Sequence, residues 1–371
     1  MKPRVTLLVL ALGAAGASAQ DAGSLSLNGS LSAQPYAAWS SASQSTGAPG
    51  AGASFSYGST TSLGLELAAK GQSARAAASI EAAVLTGQAA ADAWAIANGP
   101  FARADELLLP APQTSGPAPE TLVAARIRSL YVKVDGARAS LIAGRQVINY
   151  GRGALWNPAD IFTELDLTGL SPVRRGSDAL RLLVPLGPTE GLDLVAAPLA
   201  RPAEGRYAIR ASGVAGSLDG ALIAARDGQR GARVAGADFK TDLELGVVGD
   251  AELALLDSGR RELRAAGGLD YSIGEIVMAV EYYYNGGGAA ADPLFPASHN
   301  AYASATWEAS QLASASAVAI VDLGSASGSL TLLGDLSLAQ NAELELFAKG
   351  TRSGGPAVYG VQAGFSLAVK F

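Results

Sequence analysis

The sequence predicts an all-β chain closed into a transmembrane antiparallel β-barrel of about 18 strands, with 16 as the other reading, and a long loop folded into the lumen. Three observations carry that expectation. At the end of the chain, Tyr359, Val361, Ala363, Phe365, Leu367, Val369 and Phe371 occupy every second position, with Gly360, Gln362, Gly364, Ser366, Ala368 and Lys370 between them. Successive side chains point to opposite faces of a strand, so one face is apolar and the other small or polar. Composition is the second. Hydrophobic residues make up 49% and charged residues only 16%, low against roughly 25% for soluble domains, yet no run of about 18 apolar residues could form a spanning helix. Apolarity spread over alternate residues is what a membrane barrel requires. The third is loop segregation, set out below with the strands. A soluble β-sandwich or β-helix is the non-membrane alternative.

The chain opens with Lys2 and Arg4, an apolar stretch Val5 to Leu12, and Ala17-Ser18-Ala19 before Gln20. That is the pattern of a secretory leader, so 1–19 is expected to be removed and 20–371 to form one barrel domain. Cys is absent, so no disulfide supports the fold. The formal charge of −6 becomes −8 when Lys2 and Arg4 leave with the leader, which argues against nucleic acid as a partner.

Ser24 to Trp39 reads as the first strand, with Leu25, Leu27, Gly29 and Leu31 on one face. A Ser/Gly-rich connection, Ser40 to Tyr57, precedes strands at Thr61–Ala69 and Ala74–Leu85. Its GAPGAGAS lacks the Gly-Lys-Ser/Thr ending of a phosphate loop. Thr86 to Glu120 carries five of the seventeen prolines, and its start, Gln88 to Ala97, reads as a short helix. Strands at Leu122–Val134 and Ala137–Asn149 are expected to pair across Asp135-Gly136. After a long connection, Tyr150 to Ser177, come Asp178–Leu186, Leu192–Ala197, Arg206–Gly213, Ala221–Arg226, Arg233–Lys240, Val247–Leu256, Glu262–Ser272, Glu275–Tyr284, Asn300–Trp307, Ala313–Asp322, Ser329–Leu338, Ala342–Lys349 and the terminal strand. Counted from the N-terminus, the three longest connections all run from an odd to an even strand, and the even-to-odd ones are short. An error of one strand would have scrambled that parity, and outer-membrane barrels show this division between short turns and long loops.

Charge concentrates between Gly144 and Arg181, where Arg145, Arg152, Asp160, Asp166, Arg174, Arg175, Asp178 and Arg181 fall in a chain otherwise poor in charge. Pro158 in Trp156-Asn157-Pro158 fixes its own backbone and pushes Asn157 to an extended conformation, and Asp160 suits a cap just after it. One reading makes these charges a lumen constriction that orients polar or anionic solutes. The other makes them ion pairs that pin a long loop to the barrel wall. Trp156 and Tyr283 are candidates for stacking on a ligand.

The motifs GRQ, YGRG, NPADIF and RRGSDALR in this stretch, with EYYYNGGG at Glu281–Gly288, resemble a broad, mostly uncharacterised family of Gram-negative outer-membrane porin-like barrels. That family is distantly similar to the alginate-export channel. Its members more often carry Trp where this chain has Tyr150. The resemblance covers Arg126–Gly288 well and implies a barrel whose NPxD loop folds inward, its Arg and Asp residues narrowing the lumen. The last strand likewise resembles the terminal strand of such barrels, whose final aromatic, here Phe371, is read by the assembly machinery.

From these readings the expected partners are outer-membrane lipid, that machinery and small polar solutes, and a monomer is expected. The expected function is a porin-like channel for small hydrophilic, anionic or carbohydrate solutes; a closed barrel that binds a partner through its outer loops is the alternative. No cofactor, metal or catalytic group is expected. His299, the single histidine, would have to serve any His-based metal site or Ser-His-Asp triad, and it falls in a Pro-containing outer loop.

Overall fold

Alternation and closure account for the architecture. A computed structural model describes residues 23–41, 53–98, 120–163, 165–166, 173–199, 201–243, 246–290, 292, 294–353 and 358–371. The expected leader and most of the Ser/Gly-rich and Pro-rich connections lie outside them. Strands β1 (Ser24–Ser40), β2 (Ser54–Lys70) and β3 (Ala74–Gly87) are followed by helix α1 (Gln88–Asn98), β4 (Thr121–Asp135) and β5 (Ser140–Gln146). The next connection holds two short strands, β6 (Leu165–Asp166) and β7 (Val173–Arg174), paired only with each other. The wall resumes with β8 (Ser177–Pro185), β9 (Gly191–Ala197), β10 (Arg206–Ala215), β11 (Leu218–Asp227), β12 (Ala232–Asp242), β13 (Val247–Asp257) and β14 (Arg261–Ile273). It ends with β15 (Ile276–Asn285), β16 (His299–Ser310), β17 (Ala313–Asp322), β18 (Gly328–Ala339), β19 (Ala342–Ser353) and β20 (Val358–Lys370).

Omitting β6 and β7, each strand pairs antiparallel with the next, and β20 pairs back onto β1 through contacts such as Leu31 opposite Val369. The result is a closed ring of 18 strands. Closure leaves no unpaired edge, the condition for strands to cross lipid. It extends to the last residue, since Phe371 N–H donates to the Gly29 carbonyl (2.9 Å) and Gly29 N–H to that of Phe371 (2.7 Å).

The two faces are sharply different. Leu253, Leu255, Val280 and Tyr282 are exposed, while the residues between and beside them, Glu252, Ala254, Glu281 and Tyr283, are buried. The same phase runs through β20, where Val361, Phe365, Leu367 and Val369 are exposed. Apolar outside and polar inside is the pattern of a membrane barrel. No helix among the described residues is long and apolar enough to cross a membrane; the crossing elements are strands.

Several strand ends differ from the sequence reading by a few residues, and β5 stops at Gln146 and not at Asn149; two differences have a clear cause. β2 begins at Ser54, because a long register from Ser40–Ser54 to Ser24–Lys70 overrides the weak strand preference of Ser and Gly. The β4–β5 turn is wider than Asp135-Gly136. Gly136 N–H donates to the Ala139 carbonyl (2.8 Å), and the Ser140 hydroxyl donates to the Asp135 carboxylate (2.6 Å), which closes the chain two residues later than a tight hairpin would.

Candidate functional site

The densest cluster of buried side chains lies on the inner face, along residues 147–163. This segment takes no regular secondary structure. Its path is set locally by Gly151, whose φ of +108° is the left-handed region that favours glycine, and by Pro158. A Cβ at Gly151 would also collide with the Glu252 carboxylate and the Asn157 side chain, so the close approach needs glycine.

With no helix or strand to satisfy it, the backbone of this segment turns to side chains of the wall. Glu281 on β15 accepts N–H bonds from Leu155 (2.8 Å) and Trp156 (2.9 Å). Glu252 on β13 accepts from Ala159 (2.7 Å). Arg206 on β10 donates to the carbonyls of Ile161 (3.2 Å) and Phe162 (3.3 Å), and the Ser177 hydroxyl also donates to Phe162 (2.9 Å). Asp160 caps the segment from within, accepting from the N–H groups of Phe162 (2.8 Å), Thr163 (3.2 Å) and Tyr150 (3.3 Å). Burial pushes its carboxyl above the usual carboxylate range, and those hydrogen bonds oppose the shift.

Apolar side chains fill the remaining space. Ile148, Tyr150, Ile161 and Phe162 form one buried cluster with wall residues including Val195, Ala208, Ile223 and Val234. Leu155 and Trp156 form a second with Ala266, Tyr283 and Phe295. Each large side chain so buried contributes roughly 1.5–3 kcal/mol.

Arg152 is the charged centre of the site. Its guanidinium donates to Asp238 on β12 (2.9 Å) and to Asp219 on β11 (2.6 Å). Arg210 on β10 also reaches Asp238 (3.2 Å), with its guanidinium 5.9 Å from the centre of the Tyr150 ring. Arg181 on β8 makes a bidentate pair with Asp193 on β9 (2.6 and 3.0 Å). These pairs form a row of alternating charge on the inner wall.

The other charges expected in a constriction divide differently. Arg145 and Asp178 are register partners in β5 and β8 and make a buried bidentate pair (2.8 Å each), which belongs to the wall. Asp160 is a backbone cap. Asp166 lies in β6 opposite Val173, and Arg174 in β7 opposite Leu165. Arg175 follows directly, half-buried. Trp156 and Tyr283 stack on each other, ring centres 5.3 Å apart at 17°, and each is 2% exposed. With Phe295 and Tyr302 edge-on to Trp156, these rings present no open face to a solute.

Sequence reasoning did not pick out Asp193, Arg206, Arg210, Asp219, Asp238 or Glu252 as site residues. They are scattered over β9 to β13, with only Arg206 and Arg210 on the same strand, and charge at an inward position of a charge-poor chain was the available signal. His299 accompanies Tyr282, whose hydroxyl lies 2.6 Å from Nδ1, at an exposed position. Among the described residues no group of His, Asp and Glu is placed to hold a metal ion.

No protein-family model and no curated protein matches the sequence. Solved structures match it in fold. Pseudomonas aeruginosa OccK5 (OpdH) superposes with a TM-score of 0.58 at 9% identity, over 93% of this chain and 98% of that one. Acinetobacter baumannii OccAB4 gives 0.57 at 9%, over 95% and 100%. The outer membrane protein OpdK of Pseudomonas aeruginosa gives 0.55 at 8%, over 93% and 99%. This is the fold of an outer-membrane barrel.

Proposed function

We propose that the protein is a porin-like channel of a Gram-negative outer membrane, passing small hydrophilic solutes by diffusion through a lumen narrowed by the 150–177 connection. In this reading the leader 1–19 is removed, 20–371 inserts as a monomer, and Phe371 is the residue read by the assembly machinery. The observation that carries the proposal is a closed ring of strands, apolar outside, with paired Arg and Asp side chains inside. Such pairs stabilise a charged guanidinium in the passage while leaving donors that orient anionic or carbohydrate solutes. Arg152 and Arg181 each retain 21% side-chain exposure, so both remain within reach of a passing solute. OpdK, a barrel of this fold, was solved with vanillate. A small anion of that kind suits the Arg152, Arg181 and Arg210 row. The distant similarity to the alginate-export channel rests on the sequence motifs alone.

A closed barrel that binds a partner through its outer connections is the second reading, favoured by how completely Tyr150, Leu155, Trp156 and Phe162 are buried. Planar bilayers separate the two. The channel gives discrete conductance steps that grow when Arg152–Arg175 is deleted. No conductance from either protein would overturn the proposal.

A further inference from the structure

The outer face of the barrel is not uniformly convex. Across β5 and β8–β12 it carries an open groove of about 730 Å3. Leu182, Leu194 and Ile209 line its apolar length, with the small Ala224 among them. Tyr207, Arg226 and Arg233 line it too. These three are direct cross-strand partners: Tyr207 lies opposite Arg226, and Arg226 opposite Arg233. Both arginines are exposed and share the phase of Leu222 and Phe239, the lipid-facing residues of β11 and β12.

Two like charges directly opposed across strands destabilise a sheet unless something lies between them. Nothing among the described residues does. Asp227, next in sequence to Arg226, turns to the other face and caps the N–H groups of Gln229 and Arg230. Asp257, opposite Arg233 on β13, makes no ion pair with it among the described residues. An anion between the two guanidinium groups would relieve the repulsion, and phosphate suits them because each guanidinium presents a planar fork of donors.

The position in the membrane agrees. Arg226 is the penultimate residue of β11 and Arg233 the second of β12, flanking a connection at the same end of the barrel as 147–176. Long connections of such barrels face outward, which sets these arginines at the headgroup level of the outer leaflet with the apolar groove running into its acyl region. Basic side chains at that level recognise anionic headgroups.

We propose that this groove binds a phosphorylated glycolipid of the outer leaflet, of the lipid A kind, with a phosphate between Arg226 and Arg233, the sugar beside Tyr207, and an acyl chain along Leu182, Leu194 and Ile209. The site faces lipid, so it depends on the outer-membrane setting and not on conduction.

The full chain, purified in detergent and titrated with bis-phosphorylated lipid A, is read by native mass spectrometry. Arg226→Gln/Arg233→Gln should weaken retention of one lipid A at least tenfold, and Ile209→Trp, which fills the groove, should weaken it several-fold. Each variant is first checked for the assembled, fast-migrating form on an unboiled gel. Enzymatically dephosphorylated lipid A is titrated against the wild-type protein, which keeps the test valid if a variant fails to assemble; its binding should fall by a similar factor. Equal binding of lipid A with and without phosphate, or equal binding by an assembled double variant, overturns the proposal. So does phosphatidylglycerol held as tightly as lipid A, because that is the response of an unspecific anionic belt.

Discussion

Glu281 offers the sharpest test of how the inner segment is held. Its carboxylate is buried and accepts two backbone N–H bonds, from Leu155 and Trp156 at 2.8 and 2.9 Å. Hydrogen bonds to a charged group contribute about 1.5–3 kcal/mol each. Glu281→Gln retains a single carbonyl acceptor and points an amide donor at the second N–H, so at least one bond is lost. Glu281→Ala loses both, about 3–6 kcal/mol before compensation by water. The aromatic stack of Trp156 on Tyr283 is present in wild type and variant alike, so it cancels from the difference. Water that takes up the freed N–H groups reduces the loss, and each 1.4 kcal/mol that remains is a factor of about ten in population. Single-channel recordings should show longer or more frequent excursions to a higher conductance, rising roughly tenfold or more in the Ala variant and less in the Gln variant. An Ala variant that assembles normally, with current amplitude and dwell times identical to wild type, would refute the claim that this carboxylate holds the segment across the passage.

Other predictions follow from the same contacts. Asp238→Asn removes a negative charge shared by Arg152 and Arg210, so the reversal potential in a KCl gradient should shift toward anion selectivity; an unmoved reversal potential contradicts a solute-facing charge row. Arg145→Ala removes the bidentate guanidinium partner of the buried Asp178 carboxylate, a loss of up to about 3–5 kcal/mol, and should lower the temperature at which the folded gel band disappears. Adding Asp178→Ala should recover part of that loss, and a cycle with no coupling between the two positions argues against the pair. Gly151→Ala combines a positive φ with a collision at Glu252 and should cost about 1–3 kcal/mol, read as increased protease cleavage within 147–163. Deleting Phe371 removes two hydrogen bonds that close β20 on β1, so the assembled fraction in membranes should fall; full assembly without it contradicts a closing role.

The sequence by itself determined the barrel. Alternation of period two in β20 or β13, the turn residues between strands, and the parity of long and short connections are all local, and together they pointed to about 18 strands with 16 still open; the closed pairing of the structure makes the number 18. The same locality allowed the 150–177 stretch to be singled out, because Gly, Trp-Asn-Pro and charge crowd into few residues. The pairing of those charges was a different matter. Arg152 meets Asp238 across 86 positions, and Leu155 meets Glu281 across 126. No pattern within a strand encodes such a meeting; it arises when closure brings the inner faces of β10 to β15 around one segment. For that reason Arg145 and Asp178, which in sequence suited either a lumen constriction or ion pairs at the wall, could not be matched to each other until β5 and β8 were paired. Trp156 and Tyr283, read as platforms for a ligand, lie against one another for the same reason. Strand periodicity records which face a side chain takes, and only the curvature of the closed sheet decides what waits on that face.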